Sequence, residues 1–260
     1  DVGIGADDLR TIKSRTRYVL GIEGDIGSSG DPSPATAHGV YEGMVACARK
    51  AYGARNLNNL TIAIQGLGSV AYYLLDYLTK DGARVVACDI DPMMIERASR
   101  KMAIEIVSPD AIYDVECDIF APCALGATIN RNTVPRIRAK VIAGAANNQL
   151  ATMDDGAELL RKGVLYAPDY AINAGGLVNI YYEDVIHGTY DADRAKTHVA
   201  RVGKTIETIL DRSLGENIPA QVVADRLAQE RIDSARNVSK LERERRSPFH
   251  HVEAPSTSLQ

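Results

Sequence analysis

The stretch that decides the fold is residues 61–71, TIAIQGLGSVA, in which a short apolar run leads into a glycine-rich turn. Gly66, Gly68 and Ala71 form the pattern G-x-G-x-x-A directly after that run. The first glycine permits a tight turn, the second lets a phosphate approach the backbone, and the alanine lets the next helix pack closely on the strand. We therefore predict a strand, a turn and a helix that together could bind a pyrophosphate.

The second apolar run ends in a carboxylate at a spacing typical of dinucleotide-binding proteins. Asp89 lies 21 residues after Gly68. A carboxylate at this place accepts hydrogen bonds from the adenosine ribose and repels a 2′-phosphate. Ile90 follows it, and Ser69 and Val70 open the helix whose free N–H groups face the phosphates. A glycine-rich turn alone is weak evidence, but with this context the sequence predicts that the cofactor is NAD rather than NADP.

Apolar runs and helical patterns alternate along most of the chain. Continuous apolar runs are typical of strands buried on both faces, so the alternation predicts an α/β fold with a doubly wound, mostly parallel Rossmann sheet and flanking helices. The predicted strands are 61–65, 84–88, 103–107, 118–121, 140–143 and 164–167. The predicted helices are 35–52, 71–80 and 91–101, followed by a helical segment, 174–235, with interruptions at 188–190 and 215–219.

The predicted domain organisation has four parts. Residues 1–34 are a hinge or linker from a substrate domain that the chain lacks, residues 35–187 are the NAD-binding domain, and residues 188–240 are C-terminal helices. Residues 241–260 are charged and then contain Pro, Ser and His, a composition typical of disorder. The chain does not begin with Met, so we expect it to be a fragment or a processed product.

The bulk composition argues against several classes of function. The formal net charge is -4 over 260 residues, so no basic surface for nucleic acid is expected. No apolar run approaches the ~20 residues that span a bilayer, and the N-terminus has no signal-peptide pattern, so we expect no membrane association. The spacing of the four cysteines matches no metal site, so we expect reduced, structural thiols, no metal and a cytoplasmic location. The cysteines are Cys47, Cys88, Cys117 and Cys123.

Four further strings are distinctive when taken together. They are GSSGDPSPATAHGV at 27–40, APCALGAT at 121–128, IAGAANNQ at 142–149 and YAPDYAINAGGL at 166–177. With the glycine turn, they resemble the glutamate/leucine/phenylalanine/valine dehydrogenase family, in particular its leucine dehydrogenase branch, over about residues 1–235. The resemblance implies a homo-oligomer that oxidatively deaminates a hydrophobic L-amino acid to its 2-oxo acid and ammonia with NAD, this chain supplying the cofactor half.

The resemblance also implies which side chains bind the nicotinamide end of the cofactor. Thr36 resembles the threonine that hydrogen-bonds the carboxamide, and Asn147 and Asn173 resemble the amides around the nicotinamide ribose and carboxamide. A threonine at a helix start and asparagines in turns are the simpler interpretations. Ligands of parallel sheets lie outside the carboxyl ends of the strands, which adds three candidates. They are Ala121, Pro122 and Cys123, of which the cysteine has no neighbouring base that would make it a nucleophile.

Asp1 resembles the family's catalytic acid/base, because Asp1 and the next two residues match part of an E-D-V-G string. A carboxylate can move the protons that deamination requires. The implied substrate contacts are Leu20, Asn148, Leu177 and Ile180. Core packing explains the last two nearly as well, and turn chemistry explains Asn148 equally well. Since one methylene shifts selectivity by only ~1–3 kcal/mol, the sequence predicts a hydrophobic side chain without naming the amino acid.

Two lysines that the family carries in its substrate domain have no counterpart here. Lys13 and Lys50 are the only lysines among the first 60 residues, and neither follows glycines. We therefore expect the chain to bind NAD but not to perform the whole reaction alone. Two alternatives stay open: a catalytically incomplete NAD-binding or regulatory module, and a reductase of imines or bulky keto acids in secondary metabolism.

Overall fold

A sheet of six parallel strands forms the centre of the molecule. The computed structural model describes residues 4–22, 24–184 and 187–246. The strands are β1 (Thr61–Gln65), β2 (Arg84–Cys88), β3 (Ile104–Ile106), β4 (Ile119–Pro122), β5 (Val141–Ile142) and β6 (Leu165–Tyr166). They lie in the order β3-β2-β1-β4-β5-β6, so the chain starts in the middle, winds to one edge and returns to wind to the other. This order confirms the predicted doubly wound Rossmann sheet.

Helices connect the strands and continue beyond the sheet. They are α1 (Ala6–Lys13), α2 (Ser33–Tyr52), α3 (Ser69–Asp81), α4 (Pro92–Ser99), α5 (Met153–Arg161), α6 (Asp169–Ile172), α7 (Gly175–Tyr181), α8 (Ala192–Val199), α9 (Arg201–Glu216) and α10 (Ala220–Arg246). A 3-10 turn at Ala111–Asp114 precedes β4. A small antiparallel hairpin, β7 (Glu183–Asp184) with β8 (Thr189–Tyr190), separates α7 from α8.

Side chains alternate between the two faces of the sheet and build two cores. In β1, Ile62 and Ile64 belong to a core shared with α2, α3, α9 and the first turns of α10. Ala63 belongs to the opposite core, which Ile112, residues 129–139 and α5 cover. The alternation follows from the pleat of a strand. Burial on both faces explains why these strands are continuous apolar runs in the sequence.

The predicted elements are present, with ends that shift by one or two residues. The strand predicted at 140–143 is shorter, Val141–Ile142, and the helix predicted at 35–52 begins earlier, at Ser33. The interruption predicted at 188–190 contains β8, and α9 continues through Gly215 before the chain turns at Asn217. Residues at element ends have fewer local constraints, so the apolar pattern places them least well.

Two segments differ from the predictions more clearly. The predicted linker 1–34 contains helix α1. The N–H of Gly5, the residue before this helix, donates to Asp8 at 2.8 Å as in a capping box. Helix α10 extends to Arg246, six residues into the segment 241–260 for which disorder was predicted, because strong helix formers prolong an existing helix there. Residues 247–260 lie outside the described residues. The domain boundaries at 34, 187 and 240 remain predictions.

The four cysteines are free thiols in the structure. Burial raises the pKa of Cys47 and Cys117 to about 12, so both stay protonated near neutral pH. Within the described ranges, no helix is long and apolar enough to cross a membrane. The same residues contain no group of three or more His, Cys, Asp or Glu side chains that could hold a metal ion.

Candidate functional site

The glycine turn lies at the carboxyl end of β1, beside the ends of β2 and β4. Gly66 has a φ of 95°, and its N–H donates to the carbonyl of Cys88 at 2.9 Å. A Cβ at Gly66 would lie 2.7 Å from the Cβ of Ala124 and 2.9 Å from its backbone nitrogen. Both the backbone conformation and the packing therefore require glycine here.

Gly68 precedes α3 and faces open space. Its backbone is extended, with φ of −65° and ψ of −169°, and a Cβ there would meet no atom within 4 Å. No side chain among the described residues caps α3. Ser69 and Val70 are therefore at a helix start whose N–H groups have no intrahelical acceptor. Ala71 is buried. An uncapped helix start beside an open surface is a favourable place for an anion.

Asp89 follows β2, and its carboxylate is bonded to the glycine turn. Its Oδ2 accepts the N–H of Leu67 at 2.6 Å, and its Oδ1 accepts that of Asp91 at 2.8 Å. A carboxylate has about four acceptor positions, so further donors can still bind Asp89. The Asp91 side chain caps α4 by accepting the N–H of Met93 at 2.8 Å. Ile90 is 89% exposed, so its apolar surface is available to a ligand.

Two asparagines from separate loops meet at the carboxyl edge of the sheet. Asn147 lies in the loop after β5, and Asn173 directly follows α6. The Nδ2 of Asn173 donates to the Oδ1 of Asn147 at 2.6 Å and to the carbonyl of Ala145 at 3.2 Å. We call Asn147 and Asn173 the amide pair. The structure thus brings together two residues that were predicted to bind the same end of a cofactor.

Thr36 lies in the first turn of α2, in contact with the start of α7. The Oγ1 of Thr36 donates to the carbonyl of Pro32 at 3.0 Å. A Cβ at Gly176 would come within 2.5 Å of this Oγ1. A Cβ at Gly175 would come within 2.2 Å of the carbonyl oxygen of Ala35. The two glycines therefore allow α7 to begin against α2, and this places Thr36 against the start of α7, two residues after Asn173.

The carboxyl end of β4 lies next to both the glycine turn and the loop after β5. Ala121 and Pro122 are buried, and the N–H of Cys123 donates to the carbonyl of Gln65 at 2.7 Å. The carbonyl of Pro122 accepts the N–H of Ala146 at 2.9 Å. Burial raises the pKa of the Cys123 thiol to about 11, so it is not a nucleophile near neutral pH. These residues shape the site and carry no reactive group.

The predicted substrate contacts are only partly brought together. A Cβ at Gly21 would lie 3.6 Å from the Cγ2 of Ile180, so the segment that carries Leu20 packs against Ile180. Leu20 also lines a shallow cavity between residues 13–28 and the hairpin β7–β8. Leu177 is 71% exposed on α7. Asp1, the predicted acid/base, lies outside the described residues.

Glu183, which was not among the predicted site residues, fixes the segment before α2. Its Oε1 accepts the N–H of Ser29 at 2.7 Å, the hydroxyl of Ser29 at 2.5 Å and the N–H of Gly21 at 3.0 Å. One carboxylate thus joins the end of α7 to the loop that leads towards Thr36. The available sequence signal was a pair of acidic residues, Glu183 and Asp184, two residues after the uncharged helix α7.

Two buried polar residues next to the amide pair were also missed. The Oδ2 of Asp169 accepts the N–H of Asn148 at 2.7 Å, and its Oδ1 accepts the hydroxyl of Tyr166 at 2.9 Å. Gln149 is fully buried and donates from Nε2 to two carbonyls of the loop after β5, at 2.9 and 3.0 Å. Polar residues within apolar strings were the signal, because a buried polar group is retained only where it is hydrogen-bonded.

The strand order and the glycine turn at the end of the first strand define the class: a doubly wound α/β protein of the Rossmann type. The model of the glutamate/leucine/phenylalanine/valine dehydrogenase family matches residues 27–98 and 90–238. The chain belongs to this family.

Named relatives are amino acid dehydrogenases. The chain is 48% identical over 236 residues to a leucine dehydrogenase of Bacillus subtilis, covering 91% of this chain and 64% of the relative. It is 38% identical over 239 residues to a valine dehydrogenase of Streptomyces albus, covering 91% of this chain and 65% of the relative. The crystal structure of L-tryptophan dehydrogenase from Nostoc punctiforme superposes with a TM-score of 0.79 at 37% identity, covering 91% of this chain and 67% of that one. The chain thus spans about two thirds of the length of these proteins.

Proposed function

We propose that this chain is the cofactor-binding part of an NAD-dependent dehydrogenase that oxidatively deaminates a hydrophobic L-amino acid. The observation that carries the proposal is the arrangement at the carboxyl edge of the sheet. The open helix start after Gly68 and the amide pair lie on this one edge, and Thr36 packs against the start of α7, two residues after Asn173. Ligands of doubly wound sheets bind at this edge.

The residues present fit NAD. The open space at Gly68 and the free N–H groups of Ser69 and Val70 would hold the pyrophosphate, since no Cβ or capping side chain fills that place. Asp89 would accept the ribose hydroxyls, and Ile90 would contact the adenine ring. The charge of Asp89 favours NAD over NADP because a 2′-phosphate would be repelled.

The nicotinamide end would be held by neutral polar groups. Thr36, Asn147 and Asn173 offer hydroxyl and amide groups to the carboxamide and the ribose, and the buried residues Ala121 and Pro122 at the end of β4 give the site its shape. NAD, when bound, accepts a hydride from the substrate. The protein's part is to fix one face of the ring towards the substrate and to exclude water.

The substrate class is inferred from apolar surface and from the relatives. Leu20 and Ile180 lie on adjoining segments, and the exposed Leu177 offers a further apolar contact. The relatives act, by their names, on leucine, valine and tryptophan, which have hydrophobic side chains. Asn148 is proposed to contact the substrate, and Asp1 to exchange its protons, on the family resemblance alone. A cytoplasmic homo-oligomer is part of the same proposal.

Two measurements test the proposal. Calorimetric titration of the chain with NAD and with NADP should show binding that is at least about tenfold tighter for NAD. The complete gene product, mixed with NAD and a panel of branched-chain and aromatic amino acids at alkaline pH, should form NADH, which is followed by absorbance.

The alternatives predict different results in the same assays. Binding of NAD without turnover by the complete gene product would favour a regulatory module. Turnover of NADH with imines or bulky keto acids, and none with amino acids, would favour a reductase. Absence of NAD binding by a folded chain would refute the proposal outright.

A further inference from the structure

We infer that Asp169 is a positioning residue, which orients Asn148 and the amide pair without itself contacting the ligand. The inference rests on the proposed function, because it assigns to Asp169 the task of fixing groups that would bind the nicotinamide end and the substrate. The side chain of Asp169 is hydrogen-bonded to the loop after β5, and its backbone carbonyl is hydrogen-bonded to Asn173 at the end of α6.

Asp169 connects the two loops that supply the asparagines. Its Oδ2 accepts the N–H of Asn148, in the loop after β5, at 2.7 Å. Its own carbonyl accepts the N–H of Asn173, at the end of α6, at 2.9 Å. The side chain of Asn173 in turn donates to Asn147 at 2.6 Å. A single residue therefore links all three asparagines of the site.

The conformation of Asn148 shows why such an anchor is needed. Asn148 has a φ of 51°, in the left-handed region that few residues with a Cβ adopt. Its carbonyl accepts the N–H of Ala127 at 2.7 Å, while its N–H is held by Asp169. Holding the residue at both ends fixes the direction of its side chain and of the preceding Asn147. Without the carboxylate, the N–H of Asn148 would lose its acceptor and the loop could turn.

The carboxylate itself is held on its other side. Asp169 is only 8% exposed, and a buried carboxylate is retained only where it is hydrogen-bonded. Tyr166, at the end of β6, donates its hydroxyl to Oδ1 at 2.9 Å. Burial and the neighbouring Asp169 both raise the pKa of Tyr166, so its hydroxyl remains a donor at neutral pH and well above it.

Asp155 provides a matched control for the structural contribution of such a carboxylate. It is also 8% exposed, and its Oδ2 accepts the N–H and the hydroxyl of Thr152, each at 2.8 Å. It caps helix α5 and makes no hydrogen bond to the asparagine loops among the contacts that the structure describes. Alanine at either position removes a buried acceptor of one N–H and one hydroxyl.

The experiment measures the affinities of NAD and of ADP for the wild type, Asp169→Ala and Asp155→Ala. ADP contains the adenosine and the pyrophosphate but neither the second ribose nor the nicotinamide, so it reports on the part of the site around the glycine turn and Asp89. In Asp169→Ala, NAD should bind about tenfold more weakly while ADP binds within twofold of the wild type. Tenfold is the size expected for the loss of one hydrogen bond to the cofactor. In Asp155→Ala both affinities should stay within twofold, and both variants should unfold at lower temperature.

A rescue variant and an alternative variant complete the test. Asp169→Asn should restore NAD affinity to within about threefold of the wild type, because its Oδ1 can still accept the N–H of Asn148 while the Tyr166 hydroxyl turns. If Asp169→Ala does not fold, Tyr166→Phe removes the group that orients the carboxylate. This variant should weaken NAD binding about threefold and leave ADP binding unchanged.

The outcomes separate the inference from the proposed function. An unchanged ratio of the two affinities in the Asp169 variant, or the same change of ratio in the Asp155 variant, would show a purely structural role and overturn the inference. Wild-type chain that binds neither NAD nor ADP would overturn the proposed function, and the inference with it. Wild-type chain that binds both, with a ratio that changes only in the Asp169 variant, would support both.

Discussion

Alanine at Gly66 should lower the stability of the fold, whereas alanine at Gly68 should lower the affinity for NAD, although the two residues lie in one turn. At Gly66, the φ of 95° is in the left-handed half of conformational space, where a side chain costs about 1–2 kcal/mol. The new Cβ would also lie 2.7 Å from the side chain and 2.9 Å from the backbone of Ala124, and such overpacking costs about 1–3 kcal/mol. We expect Gly66→Ala to lower the free energy of unfolding by about 2–5 kcal/mol.

Gly68→Ala carries neither cost. The φ of −65° is ordinary for alanine, and the new Cβ would meet no atom within 4 Å. Alanine stabilises by about 0.4–1 kcal/mol through the unfolded chain, and it is a poorer N-cap than glycine by a similar amount. The free energy of unfolding should therefore change by less than about 1 kcal/mol. The methyl group would occupy the space that a pyrophosphate needs, so NAD affinity should fall at least about tenfold.

Urea unfolding followed by circular dichroism gives the stability of each variant, and calorimetric titration gives its NAD affinity. Each variant is the control for the other, since the substitution is the same and the positions are two residues apart. Normal NAD affinity in Gly68→Ala would refute the assignment of the open space to the pyrophosphate. An unchanged unfolding midpoint in Gly66→Ala would refute the argument from φ and from the contact with Ala124.

Three further substitutions test other parts of the molecule. Asp89→Asn removes the charge that repels a 2′-phosphate, so titrations should show about tenfold weaker NAD binding and a smaller preference for NAD over NADP. Gly176→Ala places a Cβ 2.5 Å from the Oγ1 of Thr36, so Thr36 must move. The affinity for NAD should therefore fall below that of the wild type by a larger factor than the affinity for ADP does. The hydrogen bond from Arg136 lowers the pKa of the Asp110 carboxyl from its usual 3.8. The ion pair between the two side chains therefore stabilises the fold above pH 3.8, and this contribution is lost as the pH falls through the lower pKa that Asp110 has in the folded protein. Arg136→Met should therefore flatten the acid side of a plot of unfolding midpoint against pH, and an unaltered plot would contradict the argument.

The sheet could be predicted because its strands carry their own signal. Residues 61–65 and 84–88 were predicted with the bounds that β1 and β2 have, since continuous apolar runs bounded by turns are typical of strands buried on both faces. Helix α1 was missed because Leu9 and Ile12 are its only large apolar side chains and none of its residues is buried, so it has little apolar face to detect. The extent of α10 was missed because polar helix formers and disordered tails have similar composition.

The candidate site could be predicted only where a residue type has a local task. Gly66 and Gly68 were identified from the turn they make, and Asn147 and Asn173 from the family resemblance. Asp169 was missed because its task depends on contacts with a loop 21 residues away in sequence, which no local pattern reveals. The same holds for Glu183, whose partners lie more than 150 positions away. Sequence spacing reveals residues that act within one motif, whereas these two carboxylates form hydrogen bonds to segments that are distant in the sequence.

The hydrogen bonds of Glu183 have a consequence for the order in which the chain folds. They join residues 154 to 162 positions apart in the sequence. Bringing such distant residues together costs conformational entropy, and that cost falls only once the sheet between them has folded. The loop from Gly21 to Gly30 should therefore become ordered late, after the transition state has formed. Glu183→Gln should accelerate unfolding and leave the refolding rate nearly unchanged, a low φ-value that stopped-flow kinetics would detect. The segment before α2 would then also be the first part of the described molecule to open when the native state fluctuates.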